Sequence, residues 1–472
     1  MSQSLVATID HHRLTRATWL TVLLGWSAGF LAGQDFTLGQ WNVGVARTEI
    51  TPTESVPLAG YGGPTRMSQR VDHPIWLKAM ALQYGSGDIH VVVTADLVGL
   101  SEQMVQKIAG SAKAKHGLER HRLILNTSHN HSCPVTADVL WLYYELTQEQ
   151  TLARDRYTDY VYQQYAEVID RALADVGPAE LHFGHGLAGI AVNRRRSRGP
   201  DSRSLPGPVD HDVPVLTVKS GDQIKAIVFG YSCHTTALGG LSVNGDYAGF
   251  AQISLEQSYP GAICLFVQNC GGDANPLPRI RGKDQAAIDL AAMYGEILAE
   301  AVRQAVQEGS QKVSGPLQSA LESIELSLQP GPSMPQVQEQ LPRLTGMQQR
   351  EFQHFLNQYT TLGKLPSQVP YPIQVWRLGS QLTWIALTGE TVVDYSLAFK
   401  EKYGWSTTWV CGYNNDLLSY VPSLRVLREG GYEGTTGMQE YGHRAPYDET
   451  VQERITNCVQ RLVDKIELGG VD

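Results

Sequence analysis

The sequence predicts an α/β fold, with a mixed α+β arrangement as its variant, built as one large domain that gathers reactive side chains at strand ends. Three observations carry this expectation. Short β-branched apolar runs alternate with longer stretches of helical period. Gly, Pro and Asp turns bound those runs, and several runs end on His, Cys or carboxylate residues. The 472 residues, 42% apolar and 18% charged, suffice for one large domain or two ordinary ones with a sizeable core.

In chain order, Trp76 to Tyr84 and Ile89 to Thr94 read as strands joined by the turn Gly85-Ser-Gly-Asp. Arg122 to Asn126 is a third short strand. Ala153 to Val176 has helical period and stops before Gly177-Pro178, as a helix must before residues that cannot extend it. Strand-like runs recur at Val213 to Val218, Ile224 to Ser232 and Ala262 to Val267, and helical patterns at Ala286 to Val306 and Gln336 to Tyr359. Breaker-rich loops lie at Ser197 to Pro208 and Pro330 to Pro335. The second follows the strand-like Leu321 to Leu328 and reads as a candidate subdomain border before an irregular C-terminal portion.

Residues 1–34 read as a targeting segment. Arg13 and Arg16 precede the uncharged stretch Ala17 to Gln34, with an apolar centre from Trp19 to Leu31 and small residues at Ala32 and Gly33. This predicts export, periplasmic or secreted, with an uncleaved membrane anchor as the alternative. A net charge of -9 and the absence of a long Lys/Arg run argue against nucleic acid as a partner. Export permits disulfides, but the six cysteines do not fall into a disulfide framework and include no Cys-x-x-Cys pair. They read as buried small apolar residues.

The chemistry concentrates at strand ends. Asn126-Thr-Ser-His-Asn-His-Ser-Cys-Pro-Val135 places His129 and His131 two residues apart, on one face of an extended chain. Tyr231-Ser-Cys-His234 delivers another histidine behind an apolar strand, and Trp384-Ile-Ala-Leu-Thr-Gly-Glu390 delivers a carboxylate in the same manner. Two imidazoles and a carboxylate are the usual makings of a zinc site. The competing reading is a set of polar loops that meet only water, with Glu390 as a helix N-terminal carboxylate. Asn269-Cys-Gly-Gly-Asp-Ala-Asn-Pro276 is a turn able to aim backbone N–H groups or the Asn275 amide at a ligand. Asn193-Arg194 is suited to orient a carbonyl or carboxylate, or is simply a solvated basic loop. Asp246 and Asp273 read as structural carboxylates.

The ordered set His-x-His-Ser, Cys-His, Gly-Asp-x-x-Pro, Gly-Glu and Tyr-Glu-Gly, from about Val45 to Tyr441, resembles the catalytic domain of the neutral (non-lysosomal) ceramidases, zinc amidases that cleave the N-acyl bond of ceramide. The resemblance implies a domain at 35–472 after the leader. It also implies Zn²⁺ held by His129, His234, Glu390 and Tyr420. His131, Arg194 and Tyr432 then contact the substrate, and Gly60 lies beside the site. Two departures argue against ceramide itself as the substrate. Asn275 stands where the family carries a serine implicated in catalysis, though its amide can still bind a carbonyl. The chain is also expected to lack the immunoglobulin-like C-terminal domain of full ceramidases.

The resulting expectation is a zinc hydrolase of a small-molecule or lipid-like N-acyl amide, with water as nucleophile and with His131, Arg194 and Tyr432 on the oxyanion. Rival readings are a zinc hydrolase of another exported ester or phosphoester, and a non-catalytic binding protein on the same scaffold.

Overall fold

Thirteen strands of one sheet position everything that follows. They are β1 (Trp41–Glu49), β2 (Trp76–Tyr84), β3 (His90–Ala95), β4 (Leu123–Thr127), β5 (Gly177–Leu187), β6 (Asp212–Ser220) and β7 (Gln223–Tyr231). β8 (Ile263–Gln268), β9 (Gln311–Val313), β10 (Leu317–Ser327), β11 (Gln368–Leu378), β12 (Leu382–Thr388) and β13 (Thr408–Asn414) complete it. The order across the sheet is β8-β7-β6-β5-β1-β2-β3-β4-β13-β12-β11-β10, with β9 added beside β5. The computed structural model describes residues 39–195, 207–279 and 285–469. The predicted leader, Arg196 and most of the Ser197 to Pro208 loop lie outside the described residues. Residues 37–472 cluster as one compact unit.

Most neighbours run antiparallel, but three pairs are parallel: β3 with β4, β7 with β8, and β12 with β13. Each parallel pair needs a crossover, supplied by α1 (Glu102–His116), α3 (Asp246–Ser258) and α7 (Val393–Tyr403) respectively. The mixture of α/β crossovers with antiparallel hairpins realises both forms of the predicted class.

Helix boundaries follow local chemistry. Ser101 Oγ accepts from the N–H of Met104 at the start of α1, and Gly117 closes it in the left-handed conformation. α2 (Gln148–Ala174) begins upstream of the predicted Ala153 because Thr147 and Gln150 form a capping box. The predicted helix Gln336 to Tyr359 is instead two helices, Met334–Gln340 and Gly346–Leu362, separated at Leu341–Arg343. Pro342 lacks the N–H needed to continue the first helix.

The C-terminal portion is regular rather than irregular: it supplies β10 to β13, and β10 pairs with β11 from Leu317↔Leu378 to Ser327↔Gln368. That pairing spans the breaker loop Pro330 to Pro335, so no border falls there.

One face of the sheet curls onto itself. Met80, Leu82, Val92 and Ile124 from β2 to β4 share a core with Leu216, Val228, Leu265 and Val267 from β6 to β8. Trp384 and Trp409 stack in the same core with ring centroids 4.4 Å apart. The outer face is covered by helices. α1 and α2 lie over Leu77, Val91 and Leu125, while α3 and α4 (Gln285–Gln307) lie over Val215, Phe229 and Phe266. α7 and α10 (Val451–Glu467) lie over Tyr371, Ile385 and Val410. Each fully buried large apolar side chain contributes roughly 1.5–3 kcal/mol. All six cysteines are free and buried, as their sequence contexts predict.

Asn126 draws the strand ends together. Its Nδ2 donates to the carbonyls of Gly412 (2.9 Å) and Gln268 (3.3 Å) and to Asn414 Oδ1 (3.0 Å), and its Oδ1 accepts from the N–H of Gln268 (2.8 Å). One buried amide thus ties the C-terminal ends of β4, β8 and β13. The loops leaving those ends, with those after β7 and β12, carry the candidate site.

Candidate functional site

His129 follows β4, His234 follows β7, and Glu390 follows β12, each just past the end of a strand that belongs to a parallel pair. This is where a crossover topology leaves a crevice. Glu390 Oε2 lies 3.2 Å from His129 Nε2 and 3.1 Å from His234 Nε2, and all three residues are almost fully buried. His129 holds a left-handed backbone (φ 54), a strained conformation for a side chain of its size that points to a fixed functional geometry.

The tautomers are fixed from behind. His129 Nδ1 is 2.8 Å from the carbonyl of Val98 and His234 Nδ1 is 2.7 Å from that of Gly271. A carbonyl only accepts, so Nδ1 carries the proton in each ring and the Nε2 lone pair faces Glu390. This is the arrangement of an imidazole prepared for a metal.

Tyr420 reaches the same point from a two-residue strand paired with Glu390–Thr391. Its Oη is 3.5 Å from His234 Nε2 and accepts from Arg194 Nη2 at 3.1 Å. Arg194 Nη1 lies 3.3 Å from His234 Nε2, and its Nε donates to Glu433 Oε1 at 2.6 Å. Glu433 Oε2 also accepts from Arg195 (2.9 Å), so one buried carboxylate anchors both arginines.

His131 sits on the other side of His129, Nε2 to Nε2 at 2.9 Å. His129, His131 and His234 together form a buried cluster able to hold a metal ion. His131 Nδ1 is buried and has no hydrogen-bond partner among the described residues. Gly60 packs flat against this ring: its φ is +89, and a Cβ there would come within 2.5 Å of His131 Cγ. Tyr61 covers the ring edge-on at 4.8 Å between centroids.

Electrostatics follow from burial. Desolvation lowers His234 to about 4, reinforced by the charge of Arg194. Desolvation also pushes His131 well below its ordinary value, with His129 and His234 adding to the shift. Burial alone raises Glu390, yet His129 and His234 hold it well below the usual carboxylate range. Two imidazoles, a carboxylate and a phenol form an N/O donor set that fits a borderline divalent ion such as zinc.

Asn275 lies on the short strand Ala274–Pro276, paired with Ala191–Asn193, and its Oδ1 is 3.5 Å from Thr236 Oγ1. The flanking backbone ties it to the site: Ala274 O accepts from His234 N (3.0 Å) and Asp273 O from Arg194 N (2.8 Å). Asp273 accepts from the N–H of Val393 and from Asn193 Nδ2, and Asp246 accepts from three backbone N–H groups, so both brace loops as expected.

Tyr432, on the short helix Gly431–Gly434, packs its ring 5.0 Å from that of Tyr420. Every predicted site residue therefore lies in this one region. Sequence reasoning missed Glu433, although it is the middle residue of the quoted Tyr-Glu-Gly motif. It also missed Tyr143, Glu440 and Tyr441, for which nothing in the local pattern gave a signal. Tyr441 donates its phenolic proton to Glu390 Oε1.

Comparison with known proteins places this geometry in a family. The model for the neutral/alkaline non-lysosomal ceramidase N-terminal domain matches residues 41–283, more than half of the chain. That range holds Gly60, His129, His131, Arg194, His234 and Asn275 but not Glu390, Tyr420 or Tyr432. The neutral ceramidase of Mycobacterium tuberculosis is 30% identical over 127 residues, 23% of this chain and 20% of that protein. The aligned segment thus spans about a fifth of the relative's length. The crystal structure of neutral ceramidase from Pseudomonas aeruginosa superposes with a TM-score of 0.71 at 19% identity, over 91% of this chain and 74% of that one. A ceramidase complexed with C2 gives 0.70 at 17% identity, over 91% and 75%. At these identities the two structures establish the fold. The chain belongs to the neutral/alkaline non-lysosomal ceramidase family.

Proposed function

We propose that this ceramidase-family chain is a zinc-dependent hydrolase of an N-acyl amide bond in a small-molecule or lipid-like substrate. The observation that carries the proposal is the convergence of His129 Nε2, His234 Nε2 and Glu390 Oε2, with each Nδ1 proton committed to a backbone carbonyl. Tyr420 completes the donor set. Zinc held by these residues would supply electrophilic assistance and activate water as a nucleophile at neutral pH.

The remaining steps belong to the chain. Arg194 is held against Tyr420 and His234 by Glu433, which fixes a positive charge where negative charge develops on the scissile carbonyl. His131 stands beside His129 with its ring backed by Gly60, placed to contact the carbonyl oxygen. Asn275 occupies the position of the family serine and offers an amide in place of a hydroxyl, so the reading needs no serine nucleophile. Substrate identity within the N-acyl class follows from assay, since Asn275 argues against assuming ceramide.

A second assignment is carried by the close approach of His131 to His129: His131 serves as a third imidazole ligand of the metal. Metal content of His131→Ala separates the two, because a ligand's loss lowers zinc occupancy and a substrate contact's loss does not.

Export is proposed from the leader sequence; among the described residues no helix is long and apolar enough to cross a membrane. The decisive experiment is metal analysis of the protein as purified, followed by turnover of N-acyl amide, ester and phosphoester substrates. About one zinc per chain with amide turnover supports the proposal. Phosphoester turnover without amide turnover, or a chain that binds no zinc, overturns it.

A further inference from the structure

We infer that Arg66 is a positioning residue for turnover, whose guanidinium clips three chain segments together around His131 and holds Tyr61 and Gly60 against that ring. The inference rests on the hydrolase reading above and holds for either role given to His131. Arg66 Nη2 donates to the carbonyls of Ala59 and His131, the latter at 3.3 Å, and Nη1 donates to that of Gly240 at 2.9 Å. These acceptors lie 7, 65 and 174 positions away in the chain, on the segment leading into Gly60, in the loop after β4 and in the loop after β7. The guanidinium also lies over the Tyr61 ring, 4.7 Å from its centroid. Tyr61 Oη donates to the carbonyl of Leu238 at 3.3 Å, and the Gly60 N–H donates to Tyr144 Oη at 2.9 Å.

The His131 ring needs these walls. His129 and His234 are each oriented from behind by an Nδ1 bond to a backbone carbonyl, at 2.8 and 2.7 Å. His131 Nδ1 has no such partner among the described residues, and its Nε2 faces His129 Nε2 at 2.9 Å, toward the candidate metal centre. The back of the ring is therefore held by packing: Gly60 lies flat against it and Tyr61 meets it edge-on. Arg66 holds both. All three of its hydrogen-bond acceptors are main-chain carbonyls, and no carboxylate among the described residues pairs with it. The position thus uses the shape of the guanidinium rather than its charge. A planar fork that spans several carbonyls while stacking on a phenol ring does what a single ammonium cannot. Misplacing a group by about 1 Å near the reacting atoms costs on the order of 100-fold in rate.

The test compares the full-length zinc-loaded wild type with Arg66→Lys, His131→Ala and the double variant on one N-acyl amide. Arg66→Lys keeps the charge and loses the fork; Arg66→Gln, which keeps a carbonyl donor without the fork, repeats the comparison should the lysine variant not fold. In Arg66→Lys kcat is expected to fall roughly 10- to 100-fold, with KM changed by less than about threefold. The double variant is expected to lose no more than His131→Ala, because Arg66 acts through that ring. Wild-type kcat in Arg66→Lys, or a double variant whose loss is the product of the two single losses, marks Arg66 as general support and overturns the inference.

If the wild-type protein cleaves no N-acyl amide, the hydrolase reading fails, and nuclear magnetic resonance of histidine-labelled protein still decides the positioning. The His131 ring signal, identified by its loss in His131→Ala, is expected to move in Arg66→Lys while those of His129 and His234 stay. A stationary His131 signal, or equal movement of all three, overturns the inference.

Discussion

Tyr441 and Glu390 are joined by a hydrogen bond on the side of the carboxylate that faces away from the histidines: the phenol donates to Oε1 while Oε2 faces His129 and His234. A carboxylate restrained at one oxygen presents the other in a fixed direction, and such outer contacts tune a metal site. Tyr441→Phe is expected to weaken zinc affinity about 10- to 100-fold. Chelator competition measures this, with circular dichroism confirming an unchanged fold.

His129 and His131 are expected to separate in their effects. His129→Ala removes an Nε2 that faces Glu390, so zinc content falls below half an equivalent by elemental analysis. His131→Ala retains zinc and loses about 100-fold in kcat, the usual cost of one donor to a developing oxyanion. Loss of zinc in both variants assigns His131 to the metal instead.

Gly60 is defined by its neighbour. Its φ of +89 disfavours any side chain, and an added Cβ lands against the His131 ring. Gly60→Ala is expected to displace His131, reducing kcat at least as much as His131→Ala while thermal stability drops by only about 1–2 kcal/mol. Unchanged activity in Gly60→Ala shows that His131 has no part in turnover.

Lys400 ties α7 to the start of β6. Its fully buried ammonium donates to Asp210 Oδ2 and Asp212 Oδ2, both at 2.7 Å. Lys400→Met leaves two buried carboxylates without their cation and is expected to cost about 3–5 kcal/mol in denaturant unfolding. Burial opposes ionisation of Asp212, but His185 and Lys400 outweigh it and hold the group below the usual carboxylate range. A depressed carboxyl stabilises the fold above the ordinary Asp pKa of about 4, and that stability is lost as pH falls through the folded value. The wild type is therefore expected to lose stability on acidification below about pH 4. In Lys400→Met the variant regains part of its deficit there, because Asp212, without its ammonium partner, takes up a proton more readily.

The sequence by itself determined about half of the strand set and the positions of the candidate donors. β2, β3, β4, β6, β7 and β8 are short apolar runs between turn residues, and such runs are legible because period and punctuation are local properties. The positions of His129, His234 and Glu390 just past strand ends were legible for the same reason. Family resemblance then singled out Tyr420, Tyr432, Arg194 and Gly60.

The tertiary structure decided what no window of sequence contains. Val98 and Gly271 orient the two imidazoles through backbone carbonyls, whose identity leaves no side-chain signal. Asn126, read only as the end of a strand, brings together strands whose closing residues lie 142 and 288 positions away. Glu433, Glu440 and Tyr441 acquire roles only because the chain after β13 folds back over the site. Hydrogen-bond direction depends on which groups meet in space and which of them still has a proton to give. That is why the sequence could name Tyr432, while only the tertiary structure brings Glu440 and Tyr143 to its hydroxyl.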